Sequence, residues 1–461
     1  MARSFELVPR DVPRVQTKYR TIVTQFPVPE SIPLLEDLRR AEPVSMQGQP
    51  PVVWDRGEGV HVFDRWGNKW LDFSSGVLVA NVGHGRREII DAVCDTARKG
   101  LLTHYCFPAE PRRNLATRLV KIAPKELNKA FILSTGAETT ECAIKLAREY
   151  ARKISPEKVY VVSYEGAFHG RTLGAQLIGG IPALKAWIGK LDPTFVQVPH
   201  PDGWRNEDTS FALFEKTLAA KGVKPENVCL VIVETYQGGS GQFLPVPYAK
   251  ALRQWCTKHK VVLAFDEVQA GFGRTGTLFG FEHYGIVPDL ACLGKGISSS
   301  LPVSALLGRE ELMNQFPPGS MTSTHTGNPI CAAAAVASID VLLKENLVAN
   351  SAKVGKAMHE RLGKMQQKHS DVVGPVMGKG LIAAVHFTKP GTKEPDADLA
   401  WEVVRKCVES GVLLFSPVGL GGGTIKVNPP LVITEEAALE GCEVIEKSLE
   451  AVLAERAVPA K

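Results

Sequence analysis

Val261-Val-Leu-Ala-Phe-Asp-Glu-Val-Gln269 is an apolar run of strand length that closes on two acids and an amide. A strand without polar alternation has both faces covered, which places it inside a mostly parallel sheet flanked by helices. Outward from it the same pattern recurs at 130–133, 159–162, 195–198, 229–233 and 290–293. Helical periodicity fills the intervals at 136–153, 208–220 and 247–260, with Ala143, Leu146, Ala147, Tyr150 and Ala151 along one side of the first. This alternation predicts a large, doubly wound α/β domain. From about residue 340, helical stretches at 342–369, 396–410 and 434–455 alternate with short strands near 381–387, 412–415 and 424–427, predicting a smaller α/β lobe. Before the large domain, β-rich pieces at 52–54, 60–63 and 69–73 are separated by Asp55-Arg56-Gly57 and Arg65-Trp66-Gly67-Asn68. They predict a small antiparallel meander, preceded by a proline-rich arm.

Composition narrows the function classes. A chain of 461 residues, 44% hydrophobic and 22% charged, can bury a large core. Its 54 Lys+Arg against 49 Asp+Glu leave a formal charge of only +5, with no dense basic run, so a nucleic-acid partner is not expected. The nine cysteines are scattered and never spaced as C-x-x-C, which predicts buried free thiols rather than disulfides, and no metal site. The first residues mix charge and proline where an export signal needs an apolar stretch. The longest apolar run, 330–337, falls far short of the ~20 residues that span a bilayer. The expectation is a cytoplasmic protein with no membrane partner.

Two strand ends carry the chemistry. Asp266 sits at a C-terminal strand edge, where ligands of open α/β folds bind; an acid capping the next element is the plain alternative. Leu290-Ala-Cys-Leu-Gly-Lys-Gly296 is a second apolar strand, and its small residues leave room for a planar ligand beside Lys295. Alone, a lysine between glycines is a solvated turn residue. Together the pair describes pyridoxal phosphate chemistry: an amine that forms an imine with an aldehyde, and an acid that keeps a pyridine nitrogen protonated.

Three further segments fit that cofactor. In Leu133-Ser-Thr-Gly-Ala-Glu-Thr-Thr140 a strand, a small-residue turn and a helix start would aim the amides of Gly136 and Ala137 at a phosphate, and the same residues also spell a capping box. Tyr164-Glu-Gly-Ala-Phe-His-Gly-Arg-Thr172 supplies Phe168 to stack on a ring, His169 beside it, and Arg171 to grip a carboxylate. Met321-Thr-Ser-Thr-His-Thr-Gly-Asn-Pro329 is a hydroxyl-rich loop suited to phosphate oxygens. By contrast, Gly271-Phe-Gly-Arg-Thr-Gly276 fits the dinucleotide pattern G-x-G-x-x-G, but no helix can open from the glycine- and aromatic-broken residues that follow.

Taken in order, Ser134-Thr-Gly-Ala-Glu138, His169-Gly-Arg-Thr172, Asp266-Glu-Val-Gln269, Gly271-Phe-Gly-Arg-Thr-Gly276, Gly294-Lys-Gly296 and Thr324-His-Thr-Gly-Asn-Pro329 resemble the class III pyridoxal-phosphate aminotransferases, the 4-aminobutyrate, ornithine and acetylornithine group. The resemblance runs from about Val52 to the C-terminal helix. It implies the α/β fold type I of pyridoxal-phosphate transferases, as a homodimer with active sites at the subunit interface. The division it implies is an arm and meander at 1–75 contributing to the small domain, a large cofactor domain at 76–340 and the C-terminal small domain at 341–461. Lys295 is then the Schiff-base lysine and Asp266 the pyridine-nitrogen partner, with Gln269 on the phenolic oxygen. Gly136 and Ala137 hold the phosphate, Phe168 stacks on the ring, His169 is a further cofactor-binding residue, and Thr324 reaches a neighbouring subunit's phosphate. Glu234, Arg171 and Lys426 become substrate-binding residues.

Two departures bear on substrate choice. Where relatives read E-P-V-Q-G-E, this chain has Glu234-Thr-Tyr-Gln-Gly-Gly239, and the arginine expected before P-P-L is Lys426 in Ile425-Lys-Val-Asn-Pro-Pro-Leu431. The glutamate–arginine switch that lets such enzymes alternate between ω-amines and glutamate is altered in both halves, and lysine lacks the bidentate fork. The expected reaction moves an amino group from an ω-amine or amino acid, 4-aminobutyrate-like, to 2-oxoglutarate, pyruvate or glyoxylate. An aminomutase, racemase or amine lyase of the same family is the alternative.

Overall fold

The computed structural model describes residues 3–457, so the outermost ends of the expected 1–75 and 341–461 segments lie outside the described residues. Two compact units form: Met1–Arg86 with Asn350–Lys461, and Arg87–Ala349. No described helix is long and apolar enough to cross a membrane.

Within Arg87–Ala349 lies a seven-stranded sheet. Its strands are β1 (Lys129–Leu133), β2 (Tyr160–Tyr164), β3 (Phe195–Val198), β4 (Val228–Glu234), β5 (Val262–Asp266), β6 (Leu290–Leu293) and β7 (Ser304–Gly308). The spatial order is β1-β7-β6-β5-β4-β2-β3. Strands β3, β2, β4, β5 and β6 run parallel, and β7 is antiparallel to both β6 and β1. The α/β expectation holds, and the central strands are the apolar ones: Leu263, Ala264 and Phe265 of β5 have no exposed surface. Helix Gly136–Arg152 covers one face, its Ala143, Leu146 and Ala147 joining Leu230, Ile232, Ala264 and Cys292 in one core. The leucines and the isoleucine among them each contribute roughly 1.5–3 kcal/mol when buried.

The other unit holds two sheets. One pairs Val15–Gln16, Thr21–Ile22, Lys69–Asp72, His61–Phe63 and Arg56–Glu58 in that order, with Val412–Leu413 parallel to Lys69–Asp72. The other is antiparallel: Val373–Gly378, Ala383–Phe387 and Thr424–Val427.

Several expectations need correction. Residues 52–54 form no strand, whereas the arm contains two short strands and the helix Ile32–Ala41. The helix expected at 342–369 is two helices, Pro329–Lys344 and Leu347–Lys368. Asn346 between them adopts φ 53°, a left-handed stop that asparagine tolerates. Of the free cysteines, Cys94, Cys106 and Cys331 are only partly buried.

Candidate active site

The C-terminal ends of β4, β5 and β6 bring three positions level: Asp266 registers with Glu234 on one side and Cys292 on the other. Lys295 lies two residues past β6 and opens the short 3-10 turn Lys295–Ile297. Around these ends lies a cavity of about 140 Å³ lined by Gly136, Ala137, Phe168, His169, Gly170, Glu234, Tyr236, Asp266, Val268, Gln269 and Lys295. This is the strand-end position that parallel sheets use for ligands.

Asp266 is oriented from two directions. Its Oδ2 lies 2.8 Å from His169 Nδ1 and its Oδ1 accepts the Val268 amide at 3.0 Å. His169 is buried and held through its own carbonyl by the Thr140 hydroxyl. Burial works against charging that imidazole, but the bond to Asp266 and its negative charge outweigh this and raise its pKa above the usual histidine value. The result is an Asp266 carboxyl whose orientation is set by the imidazole behind it and which lines the cavity.

Burial lowers the Lys295 pKa below the usual lysine value, against the opposing pull of Asp266 and Glu234. Its backbone has φ 44°, a left-handed conformation costly to any residue with a Cβ. Glu234 turns Oε2 to the Phe168 amide and Oε1 to the Gly238 amide, each at 2.9 Å. Burial raises its pKa to about 7.

Helix Gly136–Arg152 begins at the cavity. Thr135 and Glu138 form its capping box, in which Glu138 accepts the Ser134 and Thr135 amides while Thr135 accepts the amide of Glu138. The box leaves the Gly136 and Ala137 amides as open donors at the positive end of the dipole. A Cβ on Gly136 would stand 2.8 Å from Val268 Cγ1, and one on Gly170 would stand 2.6 Å from the Ala137 methyl. The turn therefore admits only glycine at these two places. Two buried polar atoms, Gln269 Oε1 and His169 Nε2, lack a protein partner. An amine, a buried acid, open helix amides, an aromatic face and the Gln269 side-chain amide make a set of groups that pyridoxal phosphate can use, so the residues fit that group.

The structure gathers Gly136, Ala137, Phe168, His169, Glu234, Asp266, Gln269 and Lys295 around one cavity. It leaves Arg171 exposed, its guanidinium carbon 5.7 Å from the Phe168 ring centroid. Thr324 is also exposed and does not line the cavity of its own chain. Lys426 lies in strand Thr424–Val427 of the other unit, opposite Ala384 and almost wholly buried. Residues 271–285 carry turns and the short 3-10 turn Gly280–Tyr284, with no helix opening from the glycines.

Tyr236, Gly170 and Val268 line the site without having been singled out. Tyr236 follows Glu234 by two positions at the end of an extended strand, so side-chain alternation is the signal that could have found it. Its ring rests 5.6 Å from that of Phe243.

A family model, Aminotransferase class-III, matches residues 44–449. The chain is 34% identical to a 4-aminobutyrate aminotransferase of Mycobacterium leprae (strain TN), over 93% of this chain and 98% of that protein. It is likewise 34% identical to an isoleucine 2-epimerase of Lentilactobacillus buchneri, over 87% of this chain and 90% of that one. Among solved structures, a transaminase from the marine bacterium Virgibacillus superposes with a TM-score of 0.83 at 26% identity, covering 92% of this chain and 100% of that one. The ornithine aminotransferase of Toxoplasma gondii ME49 gives 0.81 at 29% identity, covering 92% and 96%. The chain belongs to the class III aminotransferases.

Proposed function

We propose that this protein binds pyridoxal phosphate on Lys295 and moves an amino group from an ω-amine or amino acid, with 4-aminobutyrate-like donors leading, to a 2-oxo acid. The observation that supports this most is the pairing of Lys295 with the Asp266–His169 couple at one cavity. When bound, the cofactor supplies an aldehyde carbon for the amine and a ring that withdraws electrons from the substrate carbon. Lys295 holds its amine in a desolvated place where the neutral, nucleophilic form is favoured, and it serves as the base that moves the substrate's proton. Asp266 keeps a fixed negative charge for the ring nitrogen, with His169 setting its orientation. Gly136 and Ala137 bind the phosphate, Gln269 the phenolic oxygen, and Phe168 and His169 flank the ring.

Gly239 and Lys426 replace the acid and the guanidinium of the usual acceptor switch, which supports pyruvate or glyoxylate beside 2-oxoglutarate. Arg171 remains the candidate for the donor's carboxylate. Two copies sharing their sites through Thr324, in the cytoplasm, complete the proposal. The 34% identity to an isoleucine 2-epimerase favours racemisation as the second reading.

An amine-by-acceptor screen decides between the two. Transamination requires keto product that appears only when a 2-oxo acid is added, whereas inversion of the amino acid without acceptor supports the epimerase. Borohydride should fix the cofactor on Lys295, and Lys295→Ala should lose both this labelling and amine exchange, by at least a thousandfold. Retained exchange in that variant refutes the assignment.

A further inference from the structure

We propose that Glu234 is a positioning residue: a single carboxylate fastens the backbone that carries the Phe168 ring to the backbone beneath the Gln269 amide, fixing the relation between two cofactor contacts. The inference deepens the proposed function and rests on it.

Three observations support it. Both oxygens of Glu234 are committed to backbone donors, Oε2 to Phe168 and Oε1 to Gly238, and the side chain is only 4% exposed. The loop carrying Phe168 is tied on its N-terminal side by other bonds, with Gly166 donating to Gly180 O, Ala167 to Tyr164 O and Gly180 to Ala167 O. At Phe168 itself the amide is held by Glu234. On the opposite side, Gly238 lies against the glutamine: a Cβ there would stand 2.2 Å from Gln269 Nε2 and 3.0 Å from Glu234 Oε1. Gln237 Nε2 also joins these segments, donating to Glu165 O at 2.7 Å, but movement of Glu234 removes the bonds at the Phe168 amide and at Gly238 together.

This role differs from that of a substrate ligand. A carboxylate bonded to two buried amides can reach an incoming ammonium group only in competition with them, at the cost of those hydrogen bonds. The glutamate is tied to the wall of the site.

The test is Glu234→Gln, whose side-chain amide can accept from only one of the two backbone donors. In the cofactor-free protein, deuterium exchange should rise at least tenfold in one or both of the peptides covering 165–172 and 235–240. The Kd for pyridoxal phosphate should rise about tenfold. At saturating cofactor, kcat should fall while the amine KM stays within twofold. A tenfold rise in amine KM with exchange and cofactor affinity unchanged makes Glu234 a direct substrate ligand and overturns the proposal, as does no change in any readout. Should Glu234→Gln not fold, Gly238→Ala reports on the other end of the tie, and an unaltered cofactor Kd in that variant is equally fatal. The exchange measurement needs no cofactor, so it judges the tie even if the native chain proves not to carry pyridoxal phosphate on Lys295.

Discussion

Glu267 neighbours Asp266 yet faces the opposite way, into protein. It accepts from the Thr235 hydroxyl and from the Gly280 and Phe281 amides at 2.7 and 2.8 Å, and it has no exposed surface. Burial raises its pKa to about 7 despite these donors. A carboxyl whose folded value lies above its unfolded one binds more protons in the native state. Its contribution is therefore complete below about pH 4.5 and declines as pH climbs to about 7. Glu267→Gln, which imitates the protonated form, should flatten that part of the profile and raise stability at pH 8 relative to the parent. Denaturant unfolding at pH 5, 6, 7 and 8 checks this; a variant curve parallel to the parent's refutes it. At this scale the sequence was informative where chemistry is carried by residue type. Lys295, Asp266 and Gln269 were legible from their motifs, whereas the bond from Glu234 to the Phe168 amide joins segments distant in sequence and has no local signal.

Elements test packing more than chemistry. Helix Glu435–Ala457 contains Gly441, an unfavourable residue by propensity, since alanine is better by about 1 kcal/mol in a helix interior. Yet a Cβ there would stand 2.0 Å from Cζ of Phe73, a ring with no exposed surface. Overpacking of this kind costs about 1–3 kcal/mol, which outweighs the propensity gain. Gly441→Ala should therefore destabilise the protein by up to about 2 kcal/mol in denaturant unfolding, and a stabilised variant would show that Phe73 can move. The same balance of local and distant effects decided which elements were legible. The parallel strands β4 and β5 announce themselves because both faces are buried, giving unbroken apolar runs. Strand β7, Ser304-Ala-Leu-Leu-Gly308, is equally buried, but Ser304 and Gly308 cut its apolar run to Ala305-Leu-Leu307, which periodicity cannot separate from a helix fragment. The stop at Asn346 was visible only as one residue type inside a continuous helical pattern.

Across the whole molecule, the two ends of the chain belong to one unit. Lys18 and the Tyr19 hydroxyl bond Glu436 at 2.7 Å, while Thr17 and Arg20 bond Glu440 at 2.7 Å. Farther out, Phe5 stacks on Trp401 with centroids 4.3 Å apart. The exposed Lys18–Glu436 pair contributes little, about 0–1 kcal/mol, and the more enclosed Arg20–Glu440 pair somewhat more, so their joint effect falls on local order more than on global stability. Replacing Glu436 and Glu440 by alanine should speed trypsin cleavage after Lys18 and Arg20 at least fivefold while moving the melting temperature by only a few degrees. Unchanged cleavage would mean that the strand pairing of Val15–Gln16 with Thr21–Ile22 holds the arm unaided. The sequence read this arm as proline-rich and irregular, because strands of two residues leave no pattern.

The left-handed backbone at Lys295 bears on how such a protein responds to laboratory evolution. Glycine alone occupies that conformation without penalty, and it would also delete the amine that burial disfavours. A library sorted only for survival of heating would thus be drawn toward glycine at this codon, enriching sturdier but inert proteins. Any such campaign must couple heat challenge to turnover in every round.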